Sequence, residues 1–119
     1  MPGATHLAQS KALGEMLVAQ AQHGGVVAAI CAAPAVVLEP LGLLRGHRAT
    51  CHPAFGDKLI STAGGCSQER VVVANGGRLI TSRGPGTAIE FALAIVGQLE
   101  GPAAERKVNA PMLTHLTHL

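Results

Sequence analysis

Apolar residues recur at three- and four-residue spacing in one early stretch, Leu13, Met16, Leu17 and Ala21, which places them on a single helical face. Ser10 can accept a hydrogen bond from a first-turn amide and Gly24-Gly25 supplies a left-handed stop, so a helix is predicted at about 10 to 23. The pattern then changes to an unbroken apolar run, Val26-Val27-Ala28-Ala29-Ile30, which predicts a short strand covered on both faces in a parallel sheet. Pro34 suits the first turn of a short helix that Ala35 to Leu38 continue and that Pro40 and Gly42 end. Ala49-Thr50-Cys51 reads as a brief second strand stopped at Pro53, whose nitrogen cannot donate to a ladder. Arg70 to Ala74 and Arg78 to Ser82 flank Asn75-Gly76-Gly77, which predicts an antiparallel hairpin. After a turn at Ser82 to Gly86, Thr87-Ala88-Ile89-Glu90 has the form of a capping box opening a helix that Gly101-Pro102 closes. That helix carries Ile89, Phe91, Ala92, Leu93, Ala94, Ile95, Val96 and Leu99, more than one apolar stripe. It is expected to be buried by the sheet and by a second subunit, in a homodimer.

The length of 119 residues corresponds to one domain. With 48% hydrophobic and 13% charged residues the chain is too apolar for disorder. Nine Lys and Arg against seven Asp and Glu leave a net charge of +2, with no basic run and 2% aromatics. Phosphate neutralisation and base stacking both lack their residues, so no nucleic-acid partner is expected. The uncharged stretch from Gly24 to Leu38 is shorter than the roughly 18 to 20 residues of a membrane span and Pro34 interrupts it, so it reads as core and no membrane partner is expected. Met1 to Ser10 carry neither a basic nor a long apolar signal region. Three cysteines, at 31, 51 and 66, form no CxxC pair and suggest reduced thiols in the cytoplasm, with plastid or nucleus as alternatives. In the tail, 114 to 119, His115 and His118 read either as a metal-binding face or, more ordinarily, as a frayed terminus.

The chemistry centres on Ile30-Cys31-Ala32-Ala33-Pro34. A buried strand running into a helix places Cys31 on a sharp turn at the carboxyl edge of the sheet, where open α/β folds bind ligands. Small Ala32 and Ala33 let a substrate approach, and the free amides at the helix start favour a thiolate. Against this stands the plain reading of Cys31 as a small buried hydrophobe. His52 follows the next predicted strand, so a Cys31/His52 pair at one sheet edge is expected. Cys51 should point the other way and pack, while Cys66 in Gly64-Gly65-Cys66-Ser67 reads as an exposed loop thiol. Cys51, His52 and Cys66 make an incomplete metal set lacking a fourth ligand, so no metal is expected. Gly84-Pro85-Gly86-Thr87 lacks the Lys-Ser/Thr ending of a phosphate loop.

Three blocks, Val27 to Pro34, Ala49 to Pro53 and Leu79 to Val96, together resemble the DJ-1/PfpI superfamily, specifically its parkinsonism-associated deglycase branch. The likeness runs from Met1 to about Leu113. It implies a flavodoxin-like α/β three-layer sandwich of the class I glutamine amidotransferase-like type, truncated at the N-terminus, and a homodimer. It also implies a strained nucleophilic cysteine at Cys31 with His52 beside it. The activities implied are cofactor-independent glyoxalase chemistry on methylglyoxal, deglycation of early glycation adducts on proteins or amines, and oxidation sensing or chaperoning. The family has a glutamate that hydrogen-bonds the cysteine and a Pro-Gly-Gly turn facing the substrate; both fall before the point where Met1 aligns. In the enzymatic reading the Cys31 thiolate adds to the aldehyde of a small α-oxoaldehyde, the Ala32 and Ala33 amides hold the oxyanion, and His52 orients or exchanges protons. Neither Glu15 nor Glu39 is placed to shuttle the proton, which predicts weak or no turnover by this polypeptide alone. The alternatives are a redox sensor oxidised at Cys31 and, through the fold, an amidotransferase-like hydrolase.

Overall fold

The computed structural model describes residues 2–112 and 114. The tail histidines, His115 and His118, with both readings given for them, lie outside the described residues. Ser10 caps helix α2 (Lys11–Gln22) through its hydroxyl, which accepts from Leu13 N at 3.2 Å. The predicted helix at 10 to 23 is therefore present. It is preceded by α1 (Pro2–Gln9), which the apolar pattern did not signal.

Three strands form one mixed sheet in the order β1-β3-β2: β1 (Val27–Ile30), β2 (Val71–Ala74) and β3 (Leu79–Ser82). The first strand runs parallel to β3, pairing Val27 with Leu79 and Ile30 with Ser82. The hairpin partner β2 runs antiparallel to β3, pairing Val71 with Ser82 and Ala74 with Leu79. Asn75, Gly76 and Gly77 all take positive φ, as the Asn-Gly signal requires. Every residue of β3 is buried, as expected of the central strand.

Alternation along the strands separates two packed faces. On one, Val27, Ala29 and Leu79 join Val37, Leu38 and Leu44 in the main core. On the other, fully buried Ile80 lies under α3 (Ala88–Glu100), whose Leu93 is also buried. Helical segment, sheet and helix make three layers: an α/β fold with a mixed sheet, consistent with the flavodoxin-like class.

Several expectations are corrected. The first strand is not covered on both faces: it stands at the sheet edge, and Ala28 is exposed. Ala49-Thr50-Cys51 does not make a strand but a single parallel bridge from Ala49 to Cys66, because no strand among the described residues extends the ladder. The Thr87/Glu90 capping box does not form around α3. Thr87 Oγ1 turns back to accept from Gly84 N (3.2 Å), while Glu90 is held by Arg70, whose Nε reaches both carboxylate oxygens at 2.8 and 3.0 Å. Within this chain α3 buries Leu93 but leaves Ile89 and Leu99 largely exposed. Gly101 ends that helix as predicted, with φ 95 and ψ 166, and Pro102 opens a further helix, α4 (Pro102–Asn109).

Candidate functional site

Cys31 follows the last residue of β1 and has φ 65, in the left-handed region that a Cβ-bearing residue normally avoids. Such a conformation costs about 1 to 2 kcal/mol and persists when surrounding bonds dictate it. Two bonds do so here. Cys31 N donates to Ser82 O at 3.1 Å, extending the parallel ladder one residue past the strand. Its carbonyl accepts from His52 N at 2.7 Å, so the residue is fixed from both sides.

Beyond Cys31 lie Ala32, 3% exposed, and half-buried Ala33. Then comes a five-residue π-helical turn, Pro34–Leu38, with Pro34 at its start. Ala35 N and Val36 N both close on Ala32 O at 3.0 Å, so the Ala32 and Ala33 amides stand ahead of the first internal bonds. The turn has the bounds predicted for the short helix, but it is wound as a π-helix rather than an α-helix. Cys31 itself opens on a cavity of about 540 Å³ whose lining includes Ala28, Ile30, Leu13, Leu17 and Phe91. The lining is apolar and holds neither a carboxylate nor an imidazole among the described residues.

The sequence places Cys31 and His52 at one sheet edge, and the structure brings their backbones into direct contact. The imidazole has its own partner: Nδ1 accepts from Ala54 N at 3.1 Å, capping the short 3-10 helix Pro53–Lys58. An accepting Nδ1 leaves the proton of the neutral ring on Nε2. Phe55 meets the ring edge-on at 6.3 Å, and a Cβ at Gly84 would lie 3.7 Å from His52 Cδ2. No hydrogen bond joins the imidazole to Cys31 Sγ among the described residues.

The carboxylates considered for proton transfer are elsewhere. Glu39 accepts from Ser61 N at 2.9 Å and from Ser61 Oγ at 2.5 Å, pinning the loop that follows Leu59. Glu15 lines a separate hollow between α2 and Leu41. Cys51 is buried and packs in the core, as predicted. Burial, reinforced by the neighbouring Cys66, pushes its thiol up to about 12. Cys66 is not the exposed loop thiol expected: it is half-buried against the core, because its bridge to Ala49 draws the segment inward.

Two organising residues escaped the sequence reading. Thr87 Oγ1 binds Gly84 N, Arg83 N (3.3 Å) and Ser82 Oγ (2.6 Å), folding the chain back just after β3. Arg83 Nε donates to Cys51 O at 3.0 Å, tying that turn to the segment carrying His52. The Ser-Arg-Gly-Pro-Gly-Thr run was visible, but nothing in it marked Thr87 as closing its own turn rather than the next helix.

Comparison with known proteins places this geometry in context. The glutathione-independent glyoxalase DJR-1.2 of Caenorhabditis elegans is 43% identical over 113 residues, 93% of this chain and 58% of the relative. Protein DJ-1 homolog A of Arabidopsis thaliana is 41% identical over 95% of this chain and 28% of its own length. The structure of oxidized Toxoplasma gondii DJ-1 superposes with a TM-score of 0.89 at 41% identity, covering 97% of this chain and 60% of that one. This chain thus spans less than two thirds of each of these relatives. The DJ-1/PfpI family profile matches residues 1–98, a stretch that includes all three strands, the Cys31 turn and most of α3; on that match and these identities, the chain belongs to the DJ-1/PfpI family.

Proposed function

We propose that Cys31 is the nucleophile of a cofactor-independent glyoxalase or deglycase site acting on small α-oxoaldehydes such as methylglyoxal, or on early glycation adducts of proteins and amines. The observation that carries this reading is the left-handed Cys31, held between Ser82 O and His52 N, lining an apolar cavity. The name of the C. elegans relative, a glutathione-independent glyoxalase, supports the reaction class. Sulfur adds to the aldehyde carbon to give a thiohemiacetal, and the Ala32 and Ala33 amides face the oxygen that gains charge. A carboxylic acid then moves the proton between the two carbons and water releases the hydroxyacid. His52 is a positioning residue, fixing the Cys31 carbonyl through its own N–H.

Since the cavity wall carries no carboxylate among the described residues, this polypeptide by itself should bind aldehyde but release hydroxyacid slowly or not at all. The test is incubation with methylglyoxal, reading Cys31 alkylation by peptide mass and lactate by enzymatic assay. Reversible protection of Cys31 with little lactate is expected. Undiminished alkylation of Cys31 removes the nucleophile reading. Lactate formed at the rate of a full-length relative, and lost in Cys31→Ser, removes the claim about the missing acid.

A homodimer in the cytoplasm completes the proposal, with the exposed Ile89 and Leu99 on α3 as the contact face. Sedimentation of wild type against Ile89→Glu tests it. A second reading, oxidation sensing at Cys31, is favoured by the relative from T. gondii having been solved in an oxidized form. Peroxide treatment that adds two oxygens to Cys31 without aldehyde chemistry at that sulfur supports it.

A further inference from the structure

Two thiols take no part in the aldehyde chemistry and stand next to each other. Cys51 Sγ and Cys66 Sγ are 3.9 Å apart, fifteen positions apart in sequence. Closing them to a disulfide, about 2.05 Å, requires the two sulfurs to approach by about 2 Å. The backbones are already joined: Ala49 bridges Cys66, Ser67 N donates to Ala49 O at 3.0 Å, and Thr50 Oγ1 donates to Ser67 O at 2.6 Å. Gly56 packs closely on Cys66 from another side, since a Cβ there would lie 3.3 Å from Cys66 Cβ.

The two sulfurs are not equivalent. Cys51 is wholly buried, whereas Cys66 is partly open to solvent. Arg83 reaches both: its Nε holds Cys51 O at 3.0 Å, and its Nη2 lies 3.9 Å from Cys66 Sγ. A positive charge thus stands beside the more accessible sulfur, near where the departing peroxide oxygen takes up negative charge as that sulfur attacks. The raised Cys51 thiol, still protonated near neutrality, fits a group that reacts second.

We propose that Cys51 and Cys66 form a dithiol site that a hydroperoxide converts to an intrachain disulfide, Cys66 reacting first and Cys51 resolving. In the first step the Cys66 thiolate attacks the O–O bond of the peroxide, forming an S–O bond. The departing alkoxide or hydroxide takes a proton from water, leaving Cys66 as a sulfenic acid. In the second, Cys51 sulfur attacks the sulfenic sulfur, the S–S bond forms, and hydroxide leaves with the Cys51 proton as water. Two thiols are oxidised by two electrons and one peroxide bond is reduced. The site is independent of the role given to Cys31, and the test removes that residue from the readout.

The experiment is peroxide titration of the folded Cys31→Ser chain, then alkylation under unfolding conditions and intact and peptide mass. Expected are a loss of about 2 Da, no alkylation, linked peptides carrying Cys51 and Cys66, and reversal by dithiothreitol. Unfolding the chain in guanidinium beforehand should slow disulfide formation about tenfold or more, since the pairing depends on the fold. In Cys51→Ser the Cys66 sulfenate, unresolved, should be trapped by dimedone; should that variant fail to fold, the linked-peptide measurement on Cys31→Ser decides alone. A gain of about 32 Da at Cys66 with Cys51 still free overturns the proposal. So does a disulfide between chains in place of one within, or equal rates folded and unfolded.

Discussion

Replacing Thr87 by valine keeps the shape of a buried side chain and removes its hydroxyl. That oxygen accepts from Gly84 N at 3.2 Å and from Arg83 N at 3.3 Å, and it shares a 2.6 Å bond with Ser82 Oγ. Ser82 keeps a partner, because its Oγ also donates to Arg70 O at 2.6 Å. The two amides do not. Gly84 is buried, and an orphaned buried donor costs about 1 to 3 kcal/mol. Arg83 is half-buried and its bond is long, so it adds less. Together the loss should be about 2 to 4 kcal/mol, which at ordinary urea sensitivity lowers the unfolding midpoint by about 1 to 2 M. The control is Thr87→Ser, which keeps the oxygen and loses a methyl group, at about 1 kcal/mol. Urea unfolding followed by circular dichroism measures both. A valine variant as stable as the serine variant would show that the hydroxyl does not hold the turn.

Other predictions follow from single contacts. Leu38, 1% exposed at the centre of the core, should cost about 2 to 5 kcal/mol when changed to alanine, read from the urea midpoint; less than 1 would mean the core collapses around the gap. Gly101→Ala forces a Cβ into φ 95 and ψ 166, a region nearly exclusive to glycine, and should cost about 1 to 3 kcal/mol; a neutral substitution would mean that the corner between α3 and α4 relaxes. The Cys51 thiol is raised to about 12, so the unfolded chain releases that proton before the folded one does. Stability is then fully present below about pH 9 and declines toward pH 12, and urea midpoints across that range should fall less steeply in Cys51→Ala than in wild type.

Much of the fold was legible because its signals are local. Ser10, Asn75-Gly76-Gly77 and Gly101 each fix a cap or turn with their own backbone or side chain, and all three appear where the sequence put them. Elements that depend on distant partners were harder to read. Ala49-Thr50-Cys51 has strand composition, yet a strand needs a neighbour, and among the described residues its one pairing is the bridge to Cys66. Pro102 signals the end of one helix and also begins another. Glu105 in the first turn of α4, with Arg106 and Lys107 in its last, was the available signal. At the site, the position of Cys31 followed from the strand-to-helix junction. That His52 would meet it through a peptide N–H could not, because periodicity orders residues along an element but does not say which atoms of two elements touch.

The pairing of β1 with β3 has a consequence for how the molecule is made. Val27 meets Leu79 across about fifty intervening positions, so the ladder that sets the Cys31 turn cannot form until the later strand has left the ribosome. Until then Val27 to Ile30 emerge as a nascent apolar segment with open peptide groups, a span on which chaperones could act and misassembly could begin. The turn that holds the sulfur is therefore built only after β3, about fifty residues later in synthesis.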